Sequence, residues 1–153
     1  MSLTGTPLVT DPDPVDVTAV EHVVGVFFAA FTSGPDLDDR LDDLRSVLHP
    51  RAVVVRTCGQ PVEVYDVESF LAPRRTLLAS GRLRDFREWP TGGRVDVVGD
   101  LAQWFGTYEK AWVEGGVEYA GRGAKSVQLA RLPEGWRITA AIWDDEREGV
   151  ALP

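Results

Sequence analysis

Apolar residues recur along this chain in two rhythms, and the change from one to the other falls near Arg82. Before it the period is helical. Val20, Val24, Phe27, Phe28 and Phe31 fall on one face of a helix predicted to start near Thr18, where Thr18 and Glu21 have capping-box spacing. Ser33-Gly34-Pro35 stops it, because glycine suits the end of a helix and proline cannot continue one. A second helix follows, with Asp36 as its N-cap and Leu37, Leu41, Leu44 and Leu48 as its stripe. Ala52–Arg56 and Pro61–Tyr65 are predicted as short strands. Asp66 caps a third helix running to about Ser80, with a kink or a break into two short pieces expected at Pro73.

After Arg82 the period is that of strands. Leu83–Trp89, Arg94–Val98, Leu101–Val113, Val117–Arg131 and Trp136–Asp145 are separated by Thr91-Gly92-Gly93, Gly99-Asp100, Glu114-Gly115-Gly116 and Leu132-Pro133-Glu134-Gly135. Such breaks join neighbours through tight turns, so the sheet is expected to be mainly antiparallel. Helices first and long strands afterwards make an α+β layout, with the helices covering one face of the sheet. Residues 1–15, rich in Pro, Thr and Asp, read as a loose arm, 16–148 as a single domain and 149–153 as a tail.

The turns also suggest a register. A two-residue turn at Gly115-Gly116 sets Glu114 opposite Val117, Tyr108 opposite Gly123 and Glu109 opposite Arg122. A turn at Pro133-Glu134 sets Leu132 opposite Gly135, then Gly123 opposite Asp144 and Arg122 opposite Asp145. A slip of one residue would exchange the faces. In this register one face carries Ala102, Trp104, Val127, Leu129, Trp136, Ile138, Ala140 and Ile142, the expected core. Towards one end it continues with Tyr108, Lys125 and Asp144 among Gly106, Gly121 and Gly123: apolar walls with a few convergent polar groups, the composition of a ligand pocket.

Charge narrows the partners. With 24 acidic against 16 basic residues the net charge is -8, which repels phosphate backbones and anionic lipid, so neither nucleic acid nor membrane is an expected partner. The one cysteine, Cys58, rules out an intramolecular disulfide and a cysteine-based zinc site. No signal-peptide pattern or membrane-length apolar run is present, and the reading is a cytoplasmic protein. Five tryptophans in 153 residues favour pocket walls and interfaces.

The order of elements over residues 17–147 resembles the nuclear transport factor 2-like superfamily. Gly135-Trp136-Arg137-Ile138 is similar to the final strand of its SnoaL-like branch. Thr107-Tyr108-Glu109, Arg122-Gly123, Ser126-Val127-Gln128-Leu129 and Trp143 resemble a bacterial subgroup of that branch. The resemblance implies a cone-shaped, strongly curved antiparallel sheet wrapped around the N-terminal helices, with a pocket between. It also implies relatives such as ketosteroid isomerases, scytalone dehydratases and polyketide cyclases, and dimers formed through the outer sheet face. The dehydratases' histidines have no counterpart here, since His22 lies in the first helix and His49 precedes Pro50 in a turn.

Tyr108, Lys125 and Asp144 are therefore the candidate catalytic set: Asp144 a base tuned by Lys125, Tyr108 a donor to a developing oxyanion. A salt bridge and a tyrosine at a pocket rim is the plainer reading of the same residues. Phe28, Trp104, Gly106, Gly123 and Ile142 are the expected pocket lining. The expected dimer face holds Phe105, Arg122, Ser126, Gln128 and Trp143, with Arg122 between Glu109 and Asp145. Cys58 reads as a filler and the Asp36–Asp43 run as a solvated helix face. Arg74 and Arg75, near Pro73, read either as reaching an anionic ligand or, the plainer reading, as exposed. Glu88 either enters the pocket from a neighbouring strand or faces away, its face being undetermined. No metal or cofactor is expected. Two functions stay open: a homodimer that binds or turns over a small, largely apolar molecule in isomerase-, cyclase- or hydrolase-like fashion, and a non-catalytic interaction module with a vestigial pocket.

Overall fold

A computed structural model describes residues 4–59 and 61–153; part of the expected N-terminal arm, residues 1–3, lies outside the described residues. Three helices, α1 (Pro14–Ala29), α2 (Leu37–Val47) and α3 (Val67–Ala79), precede or interrupt six strands: β1 (Leu48–Arg56), β2 (Glu63–Tyr65), β3 (Arg84–Val98), β4 (Leu101–Glu114), β5 (Val117–Leu132) and β6 (Gly135–Asp145). The sheet order is β2-β1-β6-β5-β4-β3, with β2 and β3 as free edges, so it is not closed. The helices pack on one face, giving the expected α+β cone.

Local chemistry corrects the helix starts. The first helix begins at Pro14, not near Thr18. Proline is already set at helical φ in the first turn, and the Asp13 carboxylate accepts from Val15 N at 2.8 Å. Asp36 stands at the N-cap of α2 without a side-chain capping bond. Asp66 caps α3 as read, exchanging hydrogen bonds with Ser69 at 2.9 and 3.0 Å. α3 runs as one helix through Pro73. The arm preceding α1 touches the sheet, Thr10 Oγ1 donating to Asp96 at 2.6 Å.

The β4–β5 register is the one the turns suggest, from Glu114 opposite Val117 to Tyr108 opposite Gly123 and Glu109 opposite Arg122. β3 is one strand where two were expected. It carries the Thr91-Gly92-Gly93 break as a bulge, and Gly93 and Gly106 lie flat under the Trp104 indole. β1 starts at Leu48, so His49 lies in a strand, its Nδ1 accepting from Arg51 N at 3.0 Å. β1 pairs parallel with β6, which makes the sheet mixed. The two strands are far apart in sequence, so no hairpin dictates their direction.

The core joins α1 to α3 and the inner sheet face through aromatic rings. Phe27 stacks on Phe70 at 6.2 Å, Phe31 meets Phe70 edge-on at 5.7 Å, and Phe28 meets Trp104 at 5.6 Å. Edge-to-face and offset pairs of this kind stabilise beyond their buried area.

Candidate functional site

A single extra residue in β6 decides what faces the helices. Gln128 pairs with Ala140 but Leu129 pairs with Ile138, leaving Thr139 as a bulge. Its hydroxyl bonds Gln128 O at 3.3 Å. Before the bulge Trp136 and Ile138 point inward; after it Ala141, Trp143 and Asp145 do. A bulge shifts side-chain alternation by one, so the turn-based register fails beyond Leu129 and Gly123 lies opposite Asp145 rather than Asp144.

Beyond the bulge, two β4 side chains reach across β5 to Asp145. The Tyr108 hydroxyl donates to Asp145 Oδ1 at 2.6 Å, and Lys110 Nζ reaches both its oxygens at 3.2 Å. Each passes over a glycine of β5. A methyl group at Gly123 would overlap the Tyr108 hydroxyl, and one at Gly121 would lie 2.8 Å from Lys110 Cε. The glycines read in the sequence as pocket volume are therefore covered by side chains: Gly106 by Trp104 and Gly123 by Tyr108.

Lys125, with 3% exposure, is the buried charge of the core. Its Nζ donates to Glu88 Oε1 on β3 at 3.0 Å and stands 4.3 and 4.5 Å from the Phe28 and Phe27 ring centres. Burial pulls the ammonium below its ordinary range, and Glu88 opposes that pull. Burial pushes the Tyr108 hydroxyl far above a free phenol, and its bond to the Asp145 carboxylate adds to the shift. Burial also raises Asp145, but Tyr108 and Lys110 outweigh it and hold the carboxyl below its usual range. Asp145 is thus ionised at neutral pH, with donors from two β4 residues.

These residues floor a cavity of about 310 Å³, at the small end of the range for ligand pockets, roughly 300–1,000 Å³. Phe31, Phe70, Leu78, Leu83, Phe86 and Trp143 supply apolar wall. Arg74, on α3 one residue past Pro73, lies over the Phe70 ring at 4.1 Å and within 5.2 Å of Trp143, its Nη1 donating to Phe70 O at 3.0 Å. Burial and the neighbouring Arg56 bring it down to about 10, so it is charged at neutral pH.

Of the candidate residues, Tyr108 and Lys125 line the cavity. Asp144 does not; it lies at the surface paired with Arg147. Ile142, expected in the lining, is 44% exposed on the outer face, while Trp143, expected on the dimer face, is in the cavity wall. All three placements follow from the Thr139 bulge. Phe28 and Trp104 lie in the core beneath the cavity rather than in its wall. Phe105, at 56% exposure, Arg122, Ser126 and Gln128 are on the outer face. Arg122 approaches Glu146, just beyond β6, at 3.8 Å; neither Glu109 nor Asp145 is its partner. Burial and the Asp145 charge push the Cys58 thiol up, away from nucleophilic thiolate. Among the described residues no three His, Cys, Asp or Glu side chains converge to hold a metal.

No family model matches the chain, and no curated protein matches it in sequence. Solved structures do resemble it. The Kfla4162 protein of Kribbella flavida matches at a TM-score of 0.71 and 15% identity, over 87% of this chain and 92% of that one. An NTF2-like superfamily protein of Salmonella enterica matches at 0.70 and 14%, over 91% and 97%. The fold is that of the nuclear transport factor 2-like superfamily. A protein of Streptomyces avermitilis, named as a candidate dehydratase of the NTF2-like family, matches at 0.69 and 18%, over 88% and 99%. At these identities the likeness is one of fold, and an NTF2-like fold hosts many functions.

Among the polar and aromatic cavity residues, the sequence leaves Arg56 and Lys110 unassigned, places Trp143 and Asp145 on the outer face, and leaves Arg74 and Glu88 between the pocket and the surface. Arg87 and Trp89, flanking Glu88, gave no face, because the Arg84–Arg87 pairing carries its own irregularity. In Thr139-Ala140-Ala141-Ile142 either parity reads as small and apolar, so nothing marks the bulge.

Proposed function

We propose that this NTF2-like chain binds, and in a suitable substrate turns over, a small, largely apolar organic molecule in the cavity between α3 and the inner sheet face. The observation that carries the reading is the unfilled cavity itself. A vestigial pocket would be packed with the aromatic side chains this sequence has in abundance, whereas here they form walls around open volume floored by Tyr108, Lys110, Lys125, Glu88 and Asp145. Asp145 takes the part that the sequence assigned to Asp144. Its bond to Tyr108 supports an acid–base role: a ligand carbonyl entering between them would receive the Tyr108 hydrogen bond while Asp145 accepts a proton from the adjacent carbon. This is isomerase- or cyclase-like chemistry and needs no cofactor.

The same proposal includes a homodimer through the outer face. Phe105, Ser126, Ile142 and Val55 form one row across four strands, with Phe105 and Ile142 well exposed. Exposed aromatic and aliphatic side chains in such a row suit the centre of an interface. Native mass spectrometry and a thermal-shift screen with neutral apolar one-ring compounds test both parts. A dimer mass and a concentration-dependent rise in melting temperature are expected. A monomer removes the interface, and a screen without any shift moves the weight to a non-catalytic interaction module.

A further inference from the structure

The charge of the cavity is opposite to that of the protein. Arg56, Arg74, Lys110 and Lys125 line it against only Glu88 and Asp145, in a chain of net charge -8. Both carboxylates are already committed, Glu88 to Lys125 at 3.0 Å and Asp145 to Tyr108 and Lys110. Arg74 has no carboxylate within ion-pair distance among the described residues. Apart from the Nη1 bond to Phe70 O, its N–H groups find no protein acceptor there. Arg56 is little better matched: its carboxylate is Glu63 at 3.8 Å, and Glu63 also takes the Tyr65 hydroxyl.

A half-buried guanidinium without a counter-ion is costly, and an arriving anion removes that cost. The ring centres of Phe70, Tyr65 and Trp143 stand 4.1, 5.1 and 5.2 Å from the Arg74 guanidinium carbon, which confines the side chain among them in the cavity wall. A guanidinium confined in this way offers a planar fork of donors that matches a planar carboxylate. The cavity volume and its aromatic wall admit a one-ring body.

We propose that the ligand is a small aromatic carboxylate, its ring against the Trp143 side of the cavity wall and its carboxylate held by Arg74 with Arg56 beside it. This deepens the pocket reading and rests on it.

The test is calorimetric titration of the full chain with phenylacetate, with its neutral isostere phenylacetamide, and with phenyl phosphate. Phenylacetate is expected to bind at least about tenfold more tightly than the amide, the worth of one charge-assisted hydrogen-bond pair. Arg74→Met keeps the stem over Phe70 and is expected to abolish that preference while leaving the amide within about twofold. Arg74→Lys retains part of it. Arg56→Gln, at the exposed mouth, is expected to weaken the preference in a variant with little effect on folding. Equal affinity of acid and amide overturns the carboxylate assignment while leaving the pocket reading intact, as does a preference that survives both Arg74→Met and Arg56→Gln. Tighter binding of phenyl phosphate overturns the choice of carboxylate. Failure of all three probes to bind removes the pocket reading and this inference with it.

Discussion

Gly123→Ala is the smallest change that reaches the site, and its effect separates a crossing side chain from mere crowding. The new methyl would overlap the Tyr108 hydroxyl and ring carbon and lie 2.6 Å from Asp144 O. Tyr108 is buried, so to clear the methyl its ring must shift towards the cavity, which draws the hydroxyl away from Asp145. Losing a hydrogen bond to an ionised carboxylate costs about 1.5–3 kcal/mol, and forcing a methyl into a packed region costs about 1–3 kcal/mol more. A loss near 3–4 kcal/mol is therefore expected from urea unfolding followed by tryptophan fluorescence. Gly121→Ala is the internal control on the same strand and face. Its methyl meets the flexible end of Lys110, at 2.8 Å from Cε, and a loss below about 1 kcal/mol is expected. Tyr108→Phe removes the overlapping hydroxyl, so combining it with Gly123→Ala is expected to cost about 1–2 kcal/mol less than the sum of the singles. Equal losses at Gly121 and Gly123, or strict additivity with Tyr108→Phe, would refute the crossing geometry.

Three further predictions follow from the buried charges. Lys125→Met and Glu88→Gln each leave a buried partner uncompensated and are expected to cost about 3–5 kcal/mol, whereas the double variant is expected to cost less than either single in the same unfolding assay. Asp145→Asn is expected to lower both the melting temperature and ligand affinity, while Asp144→Asn, exposed beside Arg147, stays within about 0.5 kcal/mol of wild type; the reverse result would restore the turn-based register. Because folding raises the Tyr108 hydroxyl above its unfolded value of about 10, its contribution is whole below that pH and is lost as pH rises beyond it. The difference in urea midpoint between wild type and Tyr108→Phe is expected to be flat from about pH 7 to 9 and to narrow above about pH 10; a constant gap would contradict the shift.

The fold was legible because its signals are local and repeated. Phe27, Phe28 and Phe31 keep helical spacing, Asp66 and Ser69 form a cap, and Gly115-Gly116 fixes the β4–β5 register down to Tyr108 opposite Gly123. The site was half legible for a related reason. Tyr108 and Lys125 sit on strands whose alternation runs unbroken from a turn, so counting from the turn finds their face. Asp145 and Trp143 sit beyond a bulge in a run of small residues, where one extra residue exchanges the faces without altering composition. Arg74 was legible only as one of two arginines near Pro73, for which exposure was the plainer reading. It enters the cavity because α3 lays Phe70 and Arg74, one turn apart, along the same side. The start of α1 was misread because the Thr18–Glu21 spacing outweighed the Asp13-Pro14 pair, although proline in the first turn is itself a start signal.

The most direct test of the account is a two-dimensional NMR titration of the labelled protein with phenylacetamide and phenylacetate. It predicts shift changes concentrated at Lys125, Tyr108, Trp143, Asp145 and the Phe70–Arg74 turn of α3, with Phe105, Gln128 and Ile142 on the outer face unmoved. Shifts confined to the outer face, or none at saturating probe, would contradict the claim that this cavity is where the protein meets its ligand.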